Sequence, residues 1–294
     1  MSQPTWADLT EPCVAPGPHD WNDDGVVYLE RFMPESILDA YEREWKDCHG
    51  NAWPPGSPGG WRHPTPYMEH TSLMRLFTWK KLQDEIQKLI GEPPGLHLCL
   101  TGWVSTQRDW HQDTYLNPRF VGDSYCAVWV ALEDITADSG PFQYIRGSHR
   151  WRTITRDKIG HYIDINVDTW PSESERILSP IVEEQIRTAM CKKLVPIPGG
   201  MSTDFHVVEE YPEVVTYLPK RGDVLLWHSR LMHRGSRPTR PGAPRRAVIA
   251  HLSGISHRHD MRQALRYPET GGYYFPIRTL GQDNVMKREA VTFS

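Results

Sequence analysis

Cysteine is scarce and scattered in this 294-residue chain: five residues, Cys13, Cys48, Cys99, Cys126 and Cys191, with no C-x-x-C pair. That spacing excludes a thiolate zinc site and a disulfide scaffold, and leaves reduced thiols as the expectation. No run of about 18 apolar residues occurs, so no membrane span is expected. The opening MSQPTWADLTEPC lacks a basic stretch followed by an apolar one, and the expected compartment is the cytoplasm. An excess of one charge is missing too: 24% of residues are charged and the net charge is −4, the profile of an ordinary globular protein. Basic residues gather only in HRGSRPTRPGAPRR (233–246), too narrow a cluster for a nucleic-acid face. A small molecule is the expected partner; the oligomeric state has no signature, and no internal repeat occurs.

What is present falls into two halves. Residues 1–22 read as a proline-rich irregular arm, and 23–294 as a single domain with an insertion at about 150–212. A β-branched strand at Val26 to Leu29 precedes a helix from about Pro34, with Ile37, Leu38, Tyr41 and Trp45 on one face. NAWPPGSPGGWRHPTP (51–66) is too rich in proline and glycine for either element. A second helix follows in TWKKLQDEIQKLIG, with Thr78 as N-cap, Leu82, Ile86, Leu89 and Ile90 inward, and Gly91 as its stop. From LHLCLTGWV (96–104) onward the pattern is of strands: SYCAVWVAL (124–132), VVTYLP (214–219), DVLLWH (223–228) and RAVIAHL (246–252). Only about 177–190 reads as a further helix. Many short strands behind a few helices predict a mainly β fold, two sheets or a double-sheet barrel with helical support on one face.

Chemistry concentrates in WHQDTYLNP (110–118). A histidine and an aspartate at i and i+2 of an extended segment point the same way, so His111 and Asp113 can reach one ion. GDVLLWHSRLMHRGS (222–236) offers a third ligand from a second strand, either His228 or His233. Two histidines and one carboxylate leave about three coordination positions open, the arrangement of non-haem Fe(II) oxygenases, whereas calcium or magnesium would want more oxygens. Downstream, Arg245 or its neighbour Arg246 opens a strand where a guanidinium presents a two-pronged donor to a carboxylate; the two point to opposite faces.

WHQD, ALEDITADSGPFQYIRGSH, GDVLLWHSRLMHRGS and PRRAV together resemble the phytanoyl-CoA dioxygenase family of Fe(II)/2-oxoglutarate-dependent oxygenases. DGVVYLERFMPESILDAYEREW is similar to that family's first strand and helix. The resemblance implies a double-stranded β-helix (jelly-roll, cupin-like) core, with Fe(II), 2-oxoglutarate and O2 as cofactor and cosubstrates. It implies hydroxylation or a related oxidation of an unactivated C–H, with release of succinate and CO2. By the same resemblance His111, Asp113 and His233 are the iron ligands, because the distal histidine precedes a Gly-Ser step, and His228 is then a supporting or core histidine. Arg245 would hold 2-oxoglutarate, with Arg246 as fallback, and Trp129 would line that pocket. Halogenating relatives have a small residue where Asp113 stands, which favours hydroxylation or desaturation here.

Two departures from the family pattern stand out. Arg234 intervenes before the glycine, and no lysine precedes the metal loop, where Thr101 or Thr106 takes that place. His149 is expected at the pocket rim, and HRHD (257–260) reads as solvated. Trp61, Arg62, His63, Tyr67 and Phe142 are the candidate substrate-pocket residues, within loops at 51–70 and 150–212 long enough to act as lids. A zinc hydrolase using the same ligands, or a non-catalytic binding protein on the same fold, are the competing classes; the hydrolase lacks an H-E-x-x-H motif to supply its base.

Overall fold

Side-chain alternation along a few fully buried strands sets the architecture. In the computed structural model, which describes residues 13–14, 20–49, 65–151, 191–196, 205–210 and 212–277, strand β4 (Tyr125–Ala131) is buried at every position. Its even-numbered residues Cys126, Val128 and Val130 join a core shared with the helices. Its odd-numbered residues Tyr125, Ala127, Trp129 and Ala131 join a second core between two sheets. A strand covered on both faces reads as a continuous apolar run, which is why SYCAVWVAL shows little polar alternation.

The remaining strands, in chain order, are β1 (Cys13–Val14), β2 (Val26–Leu29), β3 (Pro94–Gly102), β5 (Phe142–Ile145), β6 (Cys191–Pro196), β7 (Phe205–Glu210), β8 (Val214–Tyr217), β9 (Val224–His228), β10 (His233–Gly235), β11 (Ala247–Gly254), β12 (Leu265–Arg266) and β13 (Tyr273–Tyr274). Among the described residues they form a major sheet, β12-β13-β3-β11-β4-β9-β2, a minor sheet, β1-β8-β5-β10, and a separate β6-β7 pair. Pairing is antiparallel except for β1 on β8 and β13 on β3. The two facing sheets make the expected double-stranded β-helix. Two residues of the N-terminal stretch thus add a strand to the minor sheet. The helix expected at about 177–190 lies outside the described residues, and the stretch after it contributes β6 and β7.

Helices cover the outer face of the major sheet: α1 (Trp21–Asp24), α2 (Glu35–His49), α3 (Thr71–Phe77) and α4 (Lys80–Ile90). Leu38, Tyr41 and Trp45 of α2 are buried, as the spacing predicted, along with Leu82 and Ile86 of α4. Gly91 ends α4 at φ 81°, a left-handed cap that glycine takes without a Cβ penalty. Thr78 is not the N-cap of α4. Its hydroxyl donates to the Met74 carbonyl at 2.5 Å, closing α3, and the chain restarts at Lys80. At seven residues, α3 is too short to show a readable period. Among the described residues no helix is long and apolar enough to cross a membrane, and Cys48, Cys99 and Cys126 are free thiols.

Candidate active site

The extended backbone at His111 meets the start of β10 directly. His111 N–H donates to the His233 carbonyl and His233 N–H to the His111 carbonyl, each at 3.0 Å. A residue pair that exchanges both bonds keeps its Cα atoms about 5.5 Å apart, and the two imidazole centroids lie 4.2 Å apart. Gln112 stays extended and turns its amide away to the Arg230 carbonyl, and a 3-10 turn then begins at Asp113. Asp113 is thereby returned to the side that His111 faces.

Each imidazole is held by its Nδ1. His111 Nδ1–H donates to the Asp109 carbonyl at 2.7 Å and His233 Nδ1–H to the Leu231 carbonyl at 2.9 Å. A carbonyl only accepts, so these bonds fix the tautomer and leave each Nε2 lone pair free. Those Nε2 atoms lie 3.9 and 3.8 Å from Asp113 Oδ1. The separations fit within about 4.2 Å, twice a metal–nitrogen bond, and all three donor atoms lie within 4.8 Å of one another. Asp113 Oδ2 accepts from Trp227 Nε1–H at 3.0 Å, and Asn117 donates to the Asp113 carbonyl at 3.1 Å. Burial, then the charge of Arg108, holds His111 well below the usual imidazole range; burial also lowers His233 against the opposing pull of Asp113. Both imidazoles are therefore neutral at pH 7, the form that ligates. Two neutral imidazoles and one carboxylate, with Nδ1 and Oδ2 already occupied, suit a first-row divalent metal.

Residues 245 and 246 divide between the two faces of the sheet. Arg245 is 2% exposed; its backbone N–H donates to Trp103 at 2.8 Å and its side chain to the Gly140 carbonyl at 3.1 Å. Its Nε has no partner, and among the described residues no carboxylate meets this guanidinium. Burial alone draws its pKa down to about 10, so it remains charged at neutral pH. An unpaired buried cation costs several kcal/mol, and an anionic ligand would remove that cost. Gly235 packs closely against this guanidinium: a Cβ there would sit 3.4 Å from Arg245 and 3.1 Å from Thr106 Oγ1. The residue inserted before it, Arg234, turns away to Gln143 and lies 4.6 Å over the Trp110 ring. Arg246 is no substitute for Arg245. It faces the helices, paired with Glu133 at 2.8 Å and Glu42 at 3.4 Å.

Of the other sequence candidates, Trp129 is buried on the inner face, edge-on to Tyr217, with Nε1 unpartnered. Phe142 stacks on His233 at 5.3 Å and packs on Trp227, so it buttresses a member of the candidate triad. Tyr67 does not belong to a substrate pocket: it is buried in the helix-side core with its hydroxyl on the Phe275 carbonyl. Trp61, Arg62 and His63 lie outside the described residues. His228 pairs with Cys126 in the register, facing away from the triad. It packs between Trp21 and His149, each at 5.3 Å, in a separate cavity of about 550 Å³. His149 donates to the Asn22 carbonyl there and does not approach the triad. HRHD is solvated only in part. His257 and His259 are exposed, whereas Arg258 and Asp260 form a buried pair at 2.9 Å and Arg258 also reaches Asn117.

Two residues escaped the sequence reading although strand parity marks them. Trp227 alternates with His228 and so faces inward, where it holds Asp113. His251, on the same face of β11 as Ala247 and Ile249, takes a hydrogen bond with Tyr125.

The architecture has solved counterparts. The epimerase SnoN, in a crystal structure with Fe3+, alpha ketoglutarate and nogalamycin RO, superposes with a TM-score of 0.53 at 18% identity, covering 80% of this chain and 81% of that one. EctD from S. alaskensis in its apoform gives 0.51 at 15% identity, over 87% of this chain and 82% of that one. These likenesses are of fold. No curated protein matches the chain. The sequence signature supplies what fold alone does not, for the phytanoyl-CoA dioxygenase (PhyH) family model matches residues 61–247, and the chain belongs to that family.

Proposed function

We propose that the protein is an Fe(II)- and 2-oxoglutarate-dependent oxygenase that oxidises a C–H bond of a small molecule. The observation that carries this reading is the convergence of His111 Nε2, Asp113 Oδ1 and His233 Nε2 on one point, beside a buried arginine without a carboxylate partner. The relatives point the same way: SnoN was crystallised with Fe3+ and alpha ketoglutarate. Iron and 2-oxoglutarate, when bound, supply O2 activation with release of succinate and CO2.

The residues of this chain bind, orient and shield. His111, Asp113 and His233 hold the metal and leave the rest of its surroundings open. Trp227 keeps Asp113 turned so that Oδ1 faces the imidazoles. Arg245 receives the carboxylate of 2-oxoglutarate that lies farther from the metal, and Trp129 lines the space between. The apolar wall of Phe142, Tyr144 and Leu225 excludes water from that space. Hydroxylation or desaturation is the outcome we assign, with 23–294 acting as one catalytic domain.

Anaerobic protein given Fe(II) and 2-oxoglutarate is expected to develop a weak visible charge-transfer band. Correctly folded protein that binds Fe(II) but gives no band and no succinate would refute the reading.

A further inference from the structure

The two sheets differ in width, and the difference falls beside the triad. Phe142, Tyr144, Val215 and Tyr217 of the minor sheet cover the inner faces of β4 and β9. The cover thins at β11 and β3. Leu98, Ile249 and His251 are partly exposed and Leu100 is 44% exposed, although β11 lies inside the sheet with β3 and β4 on its two edges. The register pairs Leu98 with His251 and Leu100 with Ile249. Four side chains thus form one patch on the inner face, three aliphatic and one imidazole.

This patch adjoins the candidate metal centre. His251 lies 6.3 Å edge-on from Trp227, the indole that holds Asp113 and stands 5.4 Å from His233. Tyr125 is bonded to His251 Nδ1, and Nε2 has no hydrogen-bond partner among the described residues. His97 stands 6.4 Å from His251 and 5.9 Å from Tyr125. Burial lowers both histidines and raises the Tyr125 phenol, so these three side chains are neutral at pH 7. Beyond it, the Arg258 charge is matched by Asp260.

We propose that Leu98, Leu100 and Ile249 are the platform on which the substrate lies, with His251, positioned by Tyr125, as its polar anchor. The substrate is then an uncharged, largely aliphatic molecule that offers a hydroxyl or carbonyl oxygen to His251. Apolar area beside a reaction centre supplies affinity, and one placed polar group supplies orientation. A charged group set against this aliphatic surface and a neutral imidazole would lose hydration without compensation. This assignment rests on the triad being the reaction centre.

The test uses 1-octanol, octanoate and octylammonium as probes. Saturation-transfer NMR on metal-free protein reads binding, and proton relaxation by Co(II)-loaded protein, against a Zn(II) control, reads nearness to the triad. We expect 1-octanol to bind and to relax at least five-fold faster with Co(II) than with Zn(II). Octanoate and octylammonium should bind at least five-fold more weakly. Leu100→Glu, at an already exposed position, and His251→Leu should each weaken octanol binding at least five-fold. Octanoate binding as tightly as octanol would overturn the uncharged assignment, with Arg108, whose charge acts on His111, His233 and His251, as the group that draws the anion. Octanol binding unchanged in both variants would overturn the location. Wild-type protein that binds octanol but retains no Co(II) would instead refute the triad reading and leave the platform standing.

Discussion

Strands β4, β9 and β11 each carry two sets of side chains, and the sets do different work. Toward the helices they present Cys126, Val128, Val130, Val224, Leu226, Val248, Ala250 and Leu252, all fully buried and apolar. Toward the minor sheet the same strands present Tyr125, Trp129, Trp227 and His251. The outer set is satisfied by packing alone. Members of the inner set hold side-chain hydrogen bonds, Trp227 to Asp113 and Tyr125 to His251, or an unpartnered polar atom, Trp129 Nε1. One backbone thereby keeps stability on one face and chemistry on the other, two residues apart along each strand.

That division can be broken most sharply at the triad. Asp113→Ala removes the only carboxylate of the set and is expected to abolish succinate formation, measured with Fe(II) in excess, while the urea midpoint changes little. Arg245→Gln should come next: the 2-oxoglutarate KM rises by about 100-fold, as expected when one member of a buried charge pair is truncated, and Fe(II) affinity, read by metal titration, stays near wild type. Trp227→Phe keeps the ring but deletes the donor to Asp113 Oδ2. Loss of such a partner typically lowers metal affinity or activity by about 10- to 100-fold, and an unchanged Fe(II) titration would show that the indole serves packing only.

The opposite result is expected on the outer face. Leu226→Ala should cost about 2–5 kcal/mol of stability in urea denaturation while kcat, measured below the melting range, is retained. His228→Ala is the smallest change, with turnover within about three-fold of wild type, because His228 faces α1 and not the triad. A dead His228→Ala beside an active His233→Ala would reverse the ligand assignment.

Acid sharpens the comparison further, since the inner face and its margin hold several buried imidazoles. His97, lowered by burial and then by the Arg258 charge, and His251, lowered mainly by burial, are neutral in the fold. In the unfolded chain they titrate near about 6.5. Below that value the unfolded state binds more protons, so stability is complete above about pH 6.5 and declines as the pH falls. The urea midpoint of metal-free protein should therefore be lower at about pH 5.5 than at about pH 7.5, and His97→Gln should narrow the gap.

Period-two alternation carried much of this layout in the sequence. It placed β3, β4, β8, β9 and β11 to within a few residues, though not β6 or β7, and it separated Arg245 from Arg246. The same rule, applied to Trp227 and His251, would have found both. Other features had no local signal. β5 and β10 span four and three residues, too few to show a period, and their existence depends on partners distant in the chain. Tyr67 falls in the 51–70 loop expected to line the pocket, whereas a carbonyl at Phe275, far along the chain, decides where its hydroxyl goes. Arg258 and Asp260 looked solvated among charges, yet they pair with each other and Arg258 bonds Asn117, 141 residues away in the metal loop.

The reciprocal amide bonds between residues 111 and 233 reach beyond ligand spacing. They are main-chain bonds, so exchanging either imidazole for another side chain leaves the hinge between the two segments in place. A metal bound there would act as a rivet across a seam already stitched by the backbone, and its removal should register as faster deuterium uptake at those two amides before any wider loosening of the sheets.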